Sequence, residues 1–178
     1  CYLMQTIRIG EAMVLVFFDR GANIHIIDGA LATQQNLQLI SSKPTALTVV
    51  GGNKIKTDYG TFRINLGPGE NDEYHEIICA GMDSVTAGFG KYDLSEICKE
   101  YRKYAEPTEK NDVLPQTVGG NQVQLLLGIK NTHLDPVLLK ILPSGVGVYL
   151  SPFKDVWGSR IIFAGPHHAF TQGNLGIR

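Results

Sequence analysis

Short apolar blocks separated by glycine-rich or polar turns run through most of this chain, and the character changes to charged and helical around residues 91–112. "YLMQTIRIG" and "AMVLVFF", divided by "GEA", predict a hairpin, and "NIHII" resumes an apolar strand after a turn at residues 19–23. "ALATQQNLQLI" predicts a short helix with Leu31, Leu37 and Leu39 sheltered. In "TALTVVGGNKIKTDYGTFRINLG" the Gly51-Gly52 pair predicts a hairpin tip, with Thr61 to Leu66 as the alternating return arm. "YHEIICAGM" reads as a further strand.

In the charged stretch that follows, Leu94, Ile97, Cys98, Tyr101 and Tyr104 recur at three- and four-residue steps, which predicts a helix. Asp93 and Glu96 make a capping-box pattern at its start, Pro107 closes it, and Lys99, Arg102 and Lys103 supply a solvated face. Strand-like text then returns. "NQVQLLLGI" closes on Gly128, "DPVLLKIL" predicts a short helix with Pro136 at an early position, and "GVGVYLSPF" with "SRIIFAG" predicts a final hairpin. With no internal repeat and no regular β-α-β alternation, the pattern predicts one mainly-β domain over residues 1–178, with a helical insertion at about 91–112.

Composition narrows the function classes. At 178 residues the chain suits one well-filled domain with an insertion rather than two domains. Its 16 Lys and Arg against 17 Asp and Glu leave a net charge of −1 with no basic stripe, so no nucleic-acid partner is expected. No apolar run approaches the roughly 18 residues of a spanning helix, so no membrane partner is expected either. Cys1, Cys79 and Cys98 are too widely spaced for a disulfide framework or a Cys-x-x-Cys zinc motif. A reducing, intracellular and cytoplasmic setting is the expectation, with Cys79 and Cys98 acting as small buried hydrophobes. The first residue is Cys rather than Met, so the chain reads as a piece of a longer protein.

The chemistry concentrates in "VLVFFDRGANIHIID", residues 14–28, where an apolar run stops at an acid and a glycine. A lone Asp-x-Gly strand end equally suits a helix cap or a metal ligand. Peptide hydrolysis by carboxylates needs two of them about 3 Å apart, because like charges at that distance share one proton and leave one acid and one base. The other candidates in the chain do not make the second half. Asp58 follows a polar arm and is expected to be exposed, and Asp28 looks like a strand-to-helix turn. Any pair must therefore be built from two copies of Asp19 across a two-fold axis.

The order Asp-x-Gly-Ala, Gly-Gly hairpin, apolar-apolar-Gly is the most specific combination present. With "VFFDRGANIHII", "LLLGIKNTHLDPVLLKILPSGVGVYLSPF" and "GSRIIFAGPHHAF", the chain resembles the retropepsin-like aspartic peptidases of BEL/Pao-type retrotransposon polyproteins. The resemblance covers most of residues 2–171 and matches the helical insertion poorly. It implies an all-β fold, a closed retropepsin-like barrel serving as one lobe of a homodimer, and an endopeptidase acting on polypeptide substrate. It also implies that Asp19 is the catalytic acid, with Gly21 and Ala22 completing its turn. Asn23 falls where an amide or acid is frequent, and Gly128 matches the glycine of the crossing strand. Val50, Gly51, Gly52 and Asn53 would form the flap over the substrate. No metal or organic cofactor is implied.

Arg20 departs from the family pattern, which has a small hydroxyl residue that bonds across the dimer axis. An arginine cannot accept that bond. Near the axis it would favour ionised Asp19 and oppose the shared proton, so the expectation is an impaired or lost peptidase activity with the scaffold retained. The alternative reading is accordingly a catalytically inactive dimerisation or peptide-binding module, in which Arg20 is available to hold an acidic partner. Other candidates have structural explanations. His167 and His168 are adjacent and would point to opposite faces of an extended segment, which does not suit one metal ion. His25 is expected in the core or an interface, and His133 and Asp135 are expected to shape a loop.

Overall fold

The computed structural model describes residues 3–48, 54–85, 90–129 and 133–165. Strands β1 (Leu3–Ile9), β2 (Ala12–Asp19) and β3 (His25–Asp28) are followed by helix α1 (Gly29–Gln34). Next come β4 (Gln38–Ser41), β5 (Thr45–Thr48), β6 (Lys54–Thr57), β7 (Thr61–Leu66), β8 (His75–Met82) and β9 (Tyr92–Asp93). Helix α2 (Ser95–Lys103) precedes β10 (Thr117–Val118), β11 (Val123–Gly128), β12 (Val137–Ile141), β13 (Gly147–Leu150) and β14 (Ile161–Ala164).

The central sheet has the order β1-β2-β11-β3-β8-β7-β4 and is mixed, with β11 parallel to β2 and β3 parallel to β8. It ends at β1 and β4, which do not pair with each other. The closed barrel expected for one lobe of a homodimer is therefore not formed. Within this open sheet the run "VLVFF" of β2 buries both faces. Val14, Val16 and Phe18 enter one apolar cluster with Ile27, Phe62, Cys79 and Leu127, while Leu15 enters a second with Val123, Val148 and Phe163. A strand apolar on both faces requires a layer on each side. Here α1 joins the first cluster, and α2 contributes Ile97 and Tyr101 to the second. β14 serves both, with Ile162 and Ala164 facing one and Ile161 and Phe163 the other.

Local corrections have local causes. "DPVLLKIL" forms the edge strand β12, antiparallel to β13, rather than a helix. A segment this short cannot nucleate a helix by itself, and β13 offers a ladder instead. Val137 is 61% and Ile141 66% exposed, so the run is not sheltered as a core helix would be. β5 pairs antiparallel with β6, the Gly51-Gly52 tip between them lying outside the described residues, and Thr61–Leu66 joins the central sheet between β8 and β4 instead of returning along β5. Gly60, at φ +85, turns the chain between β6 and β7, and Phe62, Ile64 and Leu66 then find their core there. Helix α1 ends early because Asn36 takes the left-handed conformation (φ 53), leaving Leu39 on β4 and 49% exposed. At α2 the capping box does not close. Asp93 accepts from the Ser95 N–H and hydroxyl, and Leu94 is the cap residue without a side-chain bond. The α2 stripe buries Leu94, Ile97 and Tyr101 but leaves Tyr104 exposed. Among the described residues no helix is long and apolar enough to cross a membrane.

Candidate active site

Asp19 is the last residue of β2, and its turn is held from two directions. Its Oδ1 accepts the Gly21 N–H at 2.9 Å, and its carbonyl accepts the Ala22 N–H at 3.2 Å. The same carbonyl accepts the Ile129 N–H at 3.3 Å, from just beyond β11. Local bonds thus shape the turn, and a strand over one hundred residues away in sequence anchors it.

The anchoring strand lies between β2 and β3. β11 is parallel to β2, with Gly128 opposite Asp19, and antiparallel to β3, with Leu126 opposite Ile26. The chain leaving β2 must therefore cross the end of β11 to reach β3. It crosses at Gly128, where a Cβ would stand 2.6 Å from the Ile24 oxygen, 2.7 Å from its nitrogen and 2.8 Å from the Ala22 oxygen. All three are backbone atoms, so the glycine is required by space. The Gly128 N–H donates to His25 Nδ1 at 3.1 Å. Burial lowers the His25 pKa, which favours the neutral ring that an accepting Nδ1 requires, and the bond places the ring proton on Nε2.

Strand alternation puts Asp19 on the face of Phe17, opposite the face from which Phe18 enters the first core. Across that face Phe17, Leu126, Ile26 and Ala80 stand in register on four adjacent strands. Leu47 of β5 packs against Ala80 and Met82, with Ile24 and Ile26 beside them. The β5–β6 hairpin is thereby held over the apolar floor next to the Asp19 turn, where a flap would stand. Its connection, including Val50, Gly51, Gly52 and Asn53, lies outside the described residues.

Arg20 does not crowd Asp19 as its sequence position suggests. Its Nε donates to Asp135 Oδ1 at 3.0 Å and its Nη2 to the Pro136 carbonyl at 3.1 Å. The guanidinium carbon lies 5.5 Å from the centroid of the Tyr149 ring. One cation thus has three partners, all on the loop before β12 or on β13. Asn23 is exposed beside the turn.

The remaining candidates fall elsewhere. Asp28 caps α1 by accepting the Leu31 N–H at 3.1 Å, and Asp58 is exposed between β6 and β7. Cys79 is fully buried, and burial pushes its thiol far above the usual range, while Cys98 is half-buried and donates to the Pro115 carbonyl. His133 lies against His75 with ring centroids 5.2 Å apart and the planes tilted by 44°. His167 and His168 lie outside the described residues. Among the described residues no three His, Cys, Asp or Glu side chains converge as metal ligands would. His25, Asp135 and Tyr149 belong to the surroundings of the Asp19 turn although sequence reasoning did not place them there. Nothing in the sequence links Asp135 to Arg20, which lies 115 residues away. Comparison of the chain with protein-family models, with curated proteins and with solved structures found no match.

Proposed function

We propose that this chain is an aspartic endopeptidase domain of the retropepsin-like type found in BEL/Pao retroelement polyproteins. The observation that carries the reading is the knot formed by the Asp19–Ala22 turn and Gly128. A carboxylate at a strand end is held there by its own turn and by a strand threaded between β2 and β3. Such a knot fixes a carboxylate to the precision that acid–base catalysis needs.

The reaction needs a second carboxylate, which a second copy of the chain would supply as its own Asp19. With one proton between them, the ionised member takes a proton from water as that water attacks the peptide carbonyl carbon. The protonated member donates to the carbonyl oxygen, and the tetrahedral adduct then collapses as the amide nitrogen is protonated and leaves. An extended peptide would lie along the apolar floor beside Ile24 and Ile26, beneath the β5–β6 hairpin. Its main chain would make the hydrogen bonds and its side chains would fill the floor. The orientation of Arg20 supports the reading, since its ion pair is with Asp135 and not with Asp19.

The competing reading, a peptide-binding module without catalysis, draws on β12. That edge strand leaves Val137, Leu138, Leu139 and Ile141 exposed, which suits addition of an extended partner strand. A mass-spectrometric digest of a diverse peptide mixture, run from about pH 4 to 7 where a carboxyl pair shares its proton, separates the two. The expected result is cleavage by this chain and by Arg20→Thr, with none by Asp19→Asn. Cleavage that persists in Asp19→Asn, or silence from all three proteins, would end the peptidase proposal.

A further inference from the structure

The proposed peptidase reading leaves one feature unassigned, the set of contacts that takes Arg20 away from its neighbour. Along the chain the permanent cation is one residue from the Asp19 carboxylate, and no covalent constraint keeps the two apart. Three groups do the work of orientation. Asp135 Oδ1 receives Nε at 3.0 Å, the Pro136 carbonyl receives Nη2 at 3.1 Å, and the Tyr149 ring lies under the guanidinium. Of the three, only Asp135 carries a charge that compensates the arginine.

The Arg20 side chain is 50% and the Asp135 side chain 39% exposed. Ion pairs so placed contribute little to folding stability. What the pair does determine is where the positive charge sits. A carboxyl pair that must share one proton is sensitive to a nearby cation, which favours two ionised carboxylates and abolishes the acid member. We propose that Asp135 is a positioning residue for the Asp19 site: by pairing with Arg20 it draws the guanidinium off the Asp19 carboxylate and leaves that carboxylate able to share a proton. The loop before β12 thereby governs the chemistry of a turn at the end of β2. A small hydroxyl residue at position 20 would need no such partner, so Arg20 and Asp135 act as one device.

Other titratable groups lie on the elements packed around this turn. His25 on β3 accepts the Gly128 N–H, His133 stands on the same loop as Asp135, and Tyr149 lies on β13. A background lacking Arg20 cancels their contributions. The experiment uses 13C-labelled aspartate, with the Asp19 carboxyl signal assigned by its loss in Asp19→Asn. Titrations over about pH 2 to 8, which brackets the carboxyl range, are recorded for five proteins. These are the parent chain, Asp135→Asn, Asp135→Glu, Arg20→Thr and the double variant Arg20→Thr/Asp135→Asn.

In Asp135→Asn the Asp19 midpoint is expected to fall relative to the parent, because the freed guanidinium favours the ionised carboxylate. Asp135→Glu, which keeps the charge, should stay at the parent value. The double variant should match Arg20→Thr. No shift in Asp135→Asn, or an equal shift with and without Arg20, overturns the proposal, because Asp135 would then act on Asp19 without the arginine or not at all. In a cleavage assay the optimum of Asp135→Asn should move to lower pH, and removal of Arg20 should restore it. The carboxyl titration is read without substrate, so it decides the role of Asp135 independently of cleavage. An absence of cleavage by the parent chain would count only against the peptidase reading.

Discussion

A methyl group added at Gly128 tests how tightly the Asp19 turn is knotted to β11. Ordinary van der Waals contact begins near 3.4 Å, and the added Cβ would stand 2.6 to 2.8 Å from three backbone atoms of Ala22 and Ile24. The turn would have to retreat by about 0.6 to 0.8 Å, a shift that flexible side chains cannot absorb because the obstacles are main chain. Overpacking of this kind costs about 1–3 kcal/mol. Stretching the Gly128 N–H bond to His25 adds about 0.5–1.5 kcal/mol. A domain of this size has a stability of about 5–15 kcal/mol, so Gly128→Ala should remain folded at 25 °C while its urea midpoint falls. Cleavage should suffer more than stability, because displacing a catalytic group by about 1 Å lowers the rate on the order of a hundredfold. Urea unfolding and peptide cleavage measured on the same preparation give both numbers. A stability loss under about 0.5 kcal/mol, the size of an ordinary surface substitution, together with an unchanged rate, would refute the tight crossing.

Two further outcomes follow from buried polar groups. Burial raises the Asp155 carboxyl from 3.8 to about 6, against the pull of the Ser159 and Trp157 N–H groups on its Oδ1. A raised folded-state carboxyl means that the folded protein binds the proton more tightly, so the ionised form costs stability above pH 6 and the cost disappears as pH falls from about 6 toward 3.8. Allowing for partial solvent access, the contribution is about 1–2 kcal/mol. His25 works in the opposite direction, since its lowered pKa removes stability as pH falls below 6.5. The difference between the parent and Asp155→Asn unfolding curves at several pH values isolates the aspartate, and a difference independent of pH would contradict its burial as an ionised group.

Gln5 is only 4% exposed, donates to the Phe153 carbonyl at 2.7 Å and accepts the Ser151 hydroxyl at 2.8 Å. Gln5→Leu leaves that carbonyl without this donor and the hydroxyl without this acceptor, and should cost about 2–4 kcal/mol in urea unfolding. A loss below about 1 kcal/mol, the net value of one ordinary hydrogen bond, would show that β1 and the segment after β13 are not joined through this residue.

Several elements are legible from local sequence because local physics decides them. The alternation of Phe62, Ile64 and Leu66 specifies one buried face of β7, and Asp28 followed by Gly29 and Ala30 specifies a capped helix start, which the Leu31 N–H bond realises. The Asp19 turn is equally local, since Gly21 and Ala22 supply its bonds within three residues. The short apolar run of β12 is different. Its residue types suit either a helix or a strand, and only the presence of β13 decides between them.

What the sequence by itself determined is therefore the inventory: a carboxylate at a strand end, a glycine in an apolar strand, two strands on either side of a Gly-Gly pair and a helix in a charged stretch. What only the tertiary structure decided is how these meet. The run "VLVFF" is buried on both faces in a sheet whose end strands β1 and β4 do not meet, and a one-dimensional pattern says neither how many layers will form nor which strands will pair. The direction of Arg20 was decided in the same way. A side chain with several rotatable bonds points toward whichever partner the fold brings near, and the fold brought Asp135 from 115 residues away.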